Sequence, residues 1–395
     1  METKKVLPIL FAIMFLVMVG FGIIIPVMPF YAEELGASPA QLGLLMAVYS
    51  LMQFIFAPMW GKLSDRIGRK PVLLIGIAGL SFSFFLMAFA SSLLMLFIAR
   101  IVGGILSAAN MPTVMAYVAD VTDEENRSKG MGIVGAAVGL GFVFGPGIGG
   151  IFSGTNLTIP FVLAGISSLV TFLLVLTVLK ESLPANEKGK STRKRLPFKA
   201  ALQGPTANLF LLQLFVTLSL AGLEATFAYY AFAKAGLGTV QLGYIFMIMG
   251  FAGALVQGGL VGRLTKKWGE GKVIQLGIAT SALGFFLILF IDSFITAAIY
   301  LSIFGIGNGF IRPSVSSLIT KRAQSAYGQV TGLLSSFDSL GRILGPPLGG
   351  MLFIVAIQLP FIVGIGLSLI AFFVYRHYVS QTKKEDALLT QSESL

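Results

Sequence analysis

The chain of 395 residues contains no cysteine and one histidine, His377. Without cysteine there is no disulfide framework, no thiol nucleophile and no thiolate metal site. A lone imidazole at the end of the last apolar run cannot supply a histidine-cluster metal centre or a serine–histidine hydrolase. No metal, no cofactor and no enzymatic activity are therefore expected. A nucleotide-driven pump is unsupported as well: Gly189-Lys190-Ser191 ends like a phosphate loop, but Pro184 stands where the first glycine is needed. Charge is equally scarce. Charged residues make up 11% of the chain and hydrophobic ones 56%, with a mean hydropathy of +0.89, whereas a soluble domain carries about 25% charge. These shortages exclude a soluble fold and leave an all-α membrane protein that crosses the bilayer many times.

Hydropathy divides the chain into about twelve spans of roughly 20 to 25 residues. They start near residues 7, 41, 71, 93, 129, 159, 206, 241, 272, 294, 327 and 359. The first follows Lys4 and Lys5 as a signal peptide would, yet it runs to about Tyr31 with no small-residue cleavage site, so it is read as a retained helix. The net charge of +11 would by itself fit nucleic-acid binding; its distribution argues for topology instead. With the N-terminus inside, all but four of the 28 basic residues fall in cytoplasmic segments: Lys234 lies in an outer loop, and Arg100, Arg312 and Arg342 lie within spans. That bias orients the chain with both termini cytoplasmic. The one long connection contains NEKGKSTRKR, a solvated linker in composition, and its bases are also suited to anionic headgroups. Residues 1–180 and 206–378 are thus expected to form two six-helix bundles, joined by a cytoplasmic linker at 181–205 and followed by a polar, disordered cytoplasmic tail at 379–395.

The two halves repeat one another. Gly139 to Gly150 reads GLGFVFGPGIGG, and 200 residues later Ser339 to Gly350 reads SLGRILGPPLGG. Gly141, Gly145 and Gly149, like Gly341, Gly345 and Gly349, recur every fourth residue and so line one helix face that a neighbour can approach closely. Pro146 and Pro346 each remove an internal hydrogen bond from that helix. A second repeat joins Gly61-Lys62-Leu63-Ser64-Asp65-Arg66-Ile67-Gly68-Arg69-Lys70 to Gly262 through Gly269, 201 residues on, with Lys266 in place of Asp65. One acid held among bases at a helix end makes a breakable latch; the echo lacks that acid and is not expected to latch in the same way.

GKLSDRIGRKP, Arg100 within LFIARIVGG, the stretch GFGIIIPVMP and GPGIGG together resemble the major facilitator superfamily, in particular its twelve-span drug:proton antiporters. The resemblance covers nearly the whole chain. It implies two pseudo-symmetric six-helix bundles around a midplane cavity, alternating access by rocking, and a place in the bacterial cytoplasmic membrane. It also implies proton-coupled export of lipophilic, often cationic, small molecules by a monomer, with protons and the lipid bilayer as the other partners. Val48 to Leu74 is similar to the tetracycline exporters, so a tetracycline-type or other single-substrate exporter is the alternative. That group uses an acid in the first span, and Pro8 to Phe30 has none. A membrane receptor or enzyme, the reading from another class, finds no signalling domain or catalytic constellation here.

Only two of the 17 acidic residues, Glu224 and Asp338, lie well inside spans, where an ionised carboxylate costs roughly 2.5 kcal/mol or more unless paired or hydrated. Glu224, in LAGLEATFAYY, matches the span 7 carboxylate of the multidrug group. There, proton and cationic cargo would compete for one site, which is the linkage an antiporter requires; a helix–helix hydrogen bond made by a neutral acid is the alternative. The second carboxylate of that group would precede Ile-Arg-Pro, but Gly309 occupies the position in GNGFIRP. Asp338 is the substitute, coupling protons or pairing with Arg342 four residues on. The resemblance makes Arg312 a counter-ion and gives Arg100 a role in proton transfer, with hydrogen bonding to first-span carbonyls as its alternative. Gln53, Asn110, Met111, Tyr229, Tyr230, Asn308 and Phe337, with Glu224, are expected to line the cargo cavity, where aromatic and methionine side chains adapt to varied ligands. Gly61, Asp65, Arg66, Gly68, Arg69, Gly145, Pro146, Gly149, Gly345 and Pro346 are expected to gate it.

Overall fold

The computed structural model describes residues 3–183, 205–322 and 327–393, so most of the expected linker lies outside the described residues. Every regular element among the described residues is helical. The first repeat comprises α1 (Thr3–Glu34), α2 (Pro39–Ile67), α3 (Arg69–Ala88), α4 (Leu93–Ser107), α5 (Asn110–Val121), α6 (Glu124–Ser153) and α7 (Ile159–Val178). The second comprises α8 (Thr206–Ala235), α9 (Thr239–Leu255), a π turn (Val256–Leu260), α10 (Val261–Ile288), α11 (Phe294–Arg322), α12 (Tyr327–Val355) and α13 (Leu359–Glu393).

The helix ends are written into the sequence twice. After α1 the chain turns at Gly36 with φ 82°, and after α8 at Gly236 with φ 64°, a region that costs a glycine little. The next helices start alike: Gln41 Oε1 accepts the Ser38 N–H at 2.8 Å, and Gln241 Oε1 accepts the Gly238 N–H at 3.1 Å. Gly68 (φ 116°) and Gly269 (φ 78°) then break the chain at equivalent points. Between α4 and α5 the helix loosens at Ala108 and Ala109, because Pro112 lacks the N–H that would bond the carbonyl of Ala108.

Packing repeats as well. In the first repeat α6 lies on α1, α3 contacts α4 and α7, and α2 contacts α4; in the second, α12 lies on α8, α10 contacts α11 and α13, and α9 contacts α11. The glycine stripes set these approaches. A methyl group added at Gly145 would sit 2.6 Å from the Gly22 Cα, and one at Gly345 would sit 2.5 Å from the Leu218 carbonyl oxygen.

The repeats meet where α2 packs on α12 and α6 on α9. Gly150 lies against Gly243, and Gly350 against Pro39 and Ala40. Among the described residues, two hydrogen bonds cross between the repeats, Ser153 Oγ to Thr239 Oγ1 at 2.7 Å and Tyr229 OH to the Pro29 carbonyl at 2.9 Å. Both lie at the end of the molecule remote from Arg69 and Lys321.

Ten helical stretches among the described residues are long and apolar enough to cross a membrane. This count and the expected twelve differ at two places. Thr239–Ile288 is one stretch of 50 residues broken at Gly269, and α12, lowered in hydropathy by Asp338, Arg342 and its glycines and prolines, is not among the ten. The tail corrects an expectation: α13 continues as helix to Glu393, well past Tyr378, because TKKEDALLTQ contains neither glycine nor proline to end it.

Candidate transport site

The intramembrane charges come together where α8, α11 and α12 meet. Gln213, Thr217 and Glu224 lie along one side of α8, and Asp338 and Arg342 are one turn apart on α12. Because Gly341 and Gly345 seat α12 against Thr217 and Leu218, these short reaches suffice. Glu224 Oε2 is 3.9 Å from Arg342 Nη1, with its side chain 13% exposed. Asp338 is held differently. Its Oδ1 accepts from Gln213 Nε2 at 2.7 Å and Thr217 Oγ1 at 2.5 Å, and its Oδ2 accepts from Arg312 Nη2 at 3.2 Å.

Of the alternatives for Asp338, the ion pair it makes is thus with Arg312 on α11, not with Arg342 on its own helix. Arg342 is drawn to Glu224. Two acid–arginine pairs therefore share α12, one held by three hydrogen bonds and one joined by a single long contact.

Arg100 sits in the first repeat, buried, with its guanidinium 4.6 Å above the Tyr49 ring and Nε 3.4 Å from the Leu45 carbonyl. That carbonyl belongs to α2, not to the first span. Among the described residues no carboxylate pairs with Arg100. Tyr49 OH meets Ser107 Oγ at 2.5 Å and accepts from Gln53 Nε2 at 2.9 Å, so Gln53 belongs to the same network.

The other expected lining residues separate into several settings. Met111 is exposed, and Tyr229 ties the two repeats through Pro29. Tyr230 is fully buried and donates to the Leu289 carbonyl at 3.0 Å. Phe337 is buried and stacks on Phe210, ring centroids 5.3 Å apart. Asn110 is buried with neither carboxamide atom partnered among the described residues. Asn308 donates to the Phe304 carbonyl at 3.3 Å and lines a small cavity of about 20 Å³ inside the second repeat, with Ser219, Ser281 and Ser368.

At the basic end, Asp65 pairs with Arg69, and Arg69 Nε reaches Asp120 Oδ2 at 2.9 Å while Nη1 reaches Ser64 Oγ at 2.8 Å. Arg66 is exposed. Two participants escape a sequence reading. Asp120 arrives from the end of α5, and Glu181 from beyond α7 accepts the Arg69 N–H at 2.8 Å and the Lys70 N–H at 3.1 Å, capping α3. A side chain at Gly68 would run into that carboxylate. Gly61 lies one turn ahead, its carbonyl accepting from Ser64 Oγ at 2.8 Å.

In the glycine motif, Gly145, Gly149 and Gly345 face their own repeat. The carbonyls of Pro146 and Pro346 face Gly243 and Gly43 of the other repeat. Gly43, Gly150, Gly243 and Gly350 therefore join this interface unannounced. Their signal was present in the sequence, since 43 and 243, like 150 and 350, are 200 positions apart.

Comparison with known proteins agrees with this architecture. Multidrug resistance protein 2 of Bacillus subtilis (strain 168) is 32% identical over 382 residues, covering 93% of this chain and 96% of that one. Quinolone resistance protein NorA of Staphylococcus aureus (strain MSSA476) is 28% identical over 366 residues, covering 93% and 94%. The crystal structure of the human organic anion transporter MFSD10 (TETRAN) shares the fold with a TM-score of 0.71 over 95% of this chain and 100% of that one, at 24% identity. The sequence profile of the Major Facilitator Superfamily matches residues 10–335 and 258–394. On this match and on relatives aligned over more than nine-tenths of both chains, the chain belongs to the Major Facilitator Superfamily.

Proposed function

We propose that the protein is a proton-driven exporter of lipophilic, often cationic, small molecules in a bacterial cytoplasmic membrane. One observation carries the reading: Glu224, an acid within an apolar helix, is matched by a single arginine at 3.9 Å. A carboxylate so loosely paired can release Arg342 and take a proton, or keep its charge for a cation in the cavity. The two ligands then exclude one another, and binding of one is linked to loss of the other. Asp338, held by Gln213, Thr217 and Arg312, serves as a fixed counter-charge. The relatives in Bacillus subtilis and Staphylococcus aureus, named for multidrug and quinolone resistance, support this cargo class.

The same reading takes Thr239–Ile288 as two spans meeting at Gly269 and adds α12, giving twelve. It puts the basic end and both termini in the cytoplasm, divides the chain into bundles at 1–180 and 206–378, and treats it as a monomer. The contacts at the far end, Gly43 with Pro346 and Gly150 with Gly243, then correspond to a state shut toward the outside. Gly145, Gly149 and Gly345 act by fixing the packing beneath that closure.

The test is proton release from purified protein on addition of a lipophilic cation such as tetraphenylphosphonium, in unbuffered detergent solution. Native protein releases protons and Glu224→Gln does not. Equal release from both rejects Glu224 as the site, and dye efflux that survives collapse of the proton gradient rejects coupling. A substrate panel including tetracycline distinguishes a broad exporter from a single-substrate one.

A further inference from the structure

The latch at the basic end has a counterpart with every charge reversed. Asp65, Arg69 and Asp120 correspond, each 201 residues later, to Lys266, Glu270 and Lys321. The surroundings correspond too. The non-helical glycine before the central residue is Gly68 in one copy and Gly269 in the other. Ser64 Oγ donates to the Gly61 carbonyl at 2.8 Å, and Thr265 Oγ1 to that of Gly262 at 3.2 Å. The central residue makes the equivalent long-range ion pair: Arg69 with Asp120 from the end of α5, Glu270 with Lys321 from the end of α11. Ser317 Oγ donates to Glu270 at 3.2 Å, and the glutamate side chain is 16% exposed. Lys266, exposed, stands four residues before Glu270 as Asp65 stands before Arg69.

We propose that Lys266, Glu270 and Lys321 form a second gate latch, an acid between two bases where the first has a base between two acids. The residues are positioning residues: the pair ties the turn at Gly269 to the end of α11, as the first latch ties the turn at Gly68 to the end of α5. The inversion has a physical reason. Two identical triads, each of net charge −1, would repel whenever that end of the molecule closed. One of −1 and one of +1 instead offset part of the repulsion between the flanking bases Lys62 and Arg66 and their counterparts Arg263 and Lys267 as the gap closes. The loss of the acid at position 266 is therefore part of an exchange of sign, and the echo remains a latch.

This inference rests on the reading of the chain as an exporter whose basic end opens and closes. Full-length Glu270→Lys, Lys321→Glu and the double exchange E270K/K321E are compared with native protein at matched expression, with Glu270→Gln as a milder variant. Two measurements are made: efflux of a fluorescent lipophilic cation from cells, and maleimide labelling of a Met59→Cys reporter in the otherwise cysteine-free chain. Each single substitution is expected to lower efflux and to shift labelling by about threefold or more, and the exchange to restore both. Singles that match native protein, or a double exchange no better than the worse single, overturn the second latch. The labelling arm needs no cargo, so absence of dye efflux from native protein would reject the exporter reading while the rescue pattern still decides the latch.

Discussion

Glu224 on α8 faces Arg342 on α12 at 3.9 Å, while Asp338, one turn before Arg342 on the same helix, is bound to Arg312 on α11 at 3.2 Å. The helix that carries both arginine contacts is seated by glycines, so its two charges reach different neighbours. The division predicts different phenotypes for the two acids. Glu224→Gln abolishes cation-induced proton release and leaves the fold intact, because a single long contact is lost. Asp338→Asn keeps proton release and lowers Tm, because Arg312 loses its counter-charge and two close hydrogen bonds weaken, at a cost of about 2 kcal/mol. Thermal unfolding beside the proton-release assay checks both, and the opposite pattern would exchange the roles of the two acids.

The adjacent glycines of the repeated motif separate packing within a repeat from contact between repeats. Gly149 lies against the Ile23 backbone of its own repeat, whereas Gly150 lies against Gly243 of the other. Gly149→Val is expected to destabilise the first repeat by the 1 to 3 kcal/mol, roughly, of an overpacked site, read as a lower Tm. In Gly150→Val the fold survives, but the far end does not close: a cysteine introduced near Thr239 becomes labelled from that side. If Gly150→Val were to unfold the protein as readily as Gly149→Val, the two positions would share one role.

Much of this was legible in the sequence, and the parts that were not share a cause. The helix starts follow hydropathy, and the turns at Gly36 and Gly236 follow local chemistry repeated at an interval of 200. The stripes at Gly141 and Gly341 give close packing because period and residue size alone dictate it. What escaped depends on which distant side chain arrives. The spacing of Asp338 and Arg342 offers an intrahelical pair, and only the approach of α8 and α11 sends each elsewhere. Tyr230 looks like a cavity residue by type, yet the direction of α8 turns it to Leu289. Glu181 begins a polar connection whose composition says solvent, and only its return to the start of α3 makes it a cap.

A stability dependence on acid comes from Asp123, outside the spans, at the N-terminus of α6. Its carboxylate accepts the backbone N–H of Asn126 at 2.8 Å and its side-chain N–H at 2.9 Å, which hold it below the ordinary aspartate range. The folded value is the lower one. The contribution is therefore present above the ordinary aspartate value and is lost as pH falls through the folded value. Asp123→Ser keeps a capping oxygen without a titrating group. Its Tm is expected to fall less steeply than that of native protein in this acid window, and equal slopes would assign the acid sensitivity to other carboxylates.

Glu181 gives the last test, because it joins the end of the first repeat to its latch. Its two oxygens accept the N–H groups of Arg69 and Lys70, and the Arg69 side chain reaches Asp65 and Asp120. Orienting the first turn of α3 therefore orients the latch. Glu181→Ala frees those donors at a helix N-terminus and costs about 1 kcal/mol. Gly68→Ala does more, since it forces φ 116° on a residue with a Cβ and drives that Cβ into the Glu181 carboxylate. Dye efflux should fall in the order native, Glu181→Ala, Gly68→Ala. Combining the two removes the obstructing carboxylate, so the double substitution should lose less than the sum of the singles. Strictly additive losses would mean that the glycine and the glutamate act through separate structures.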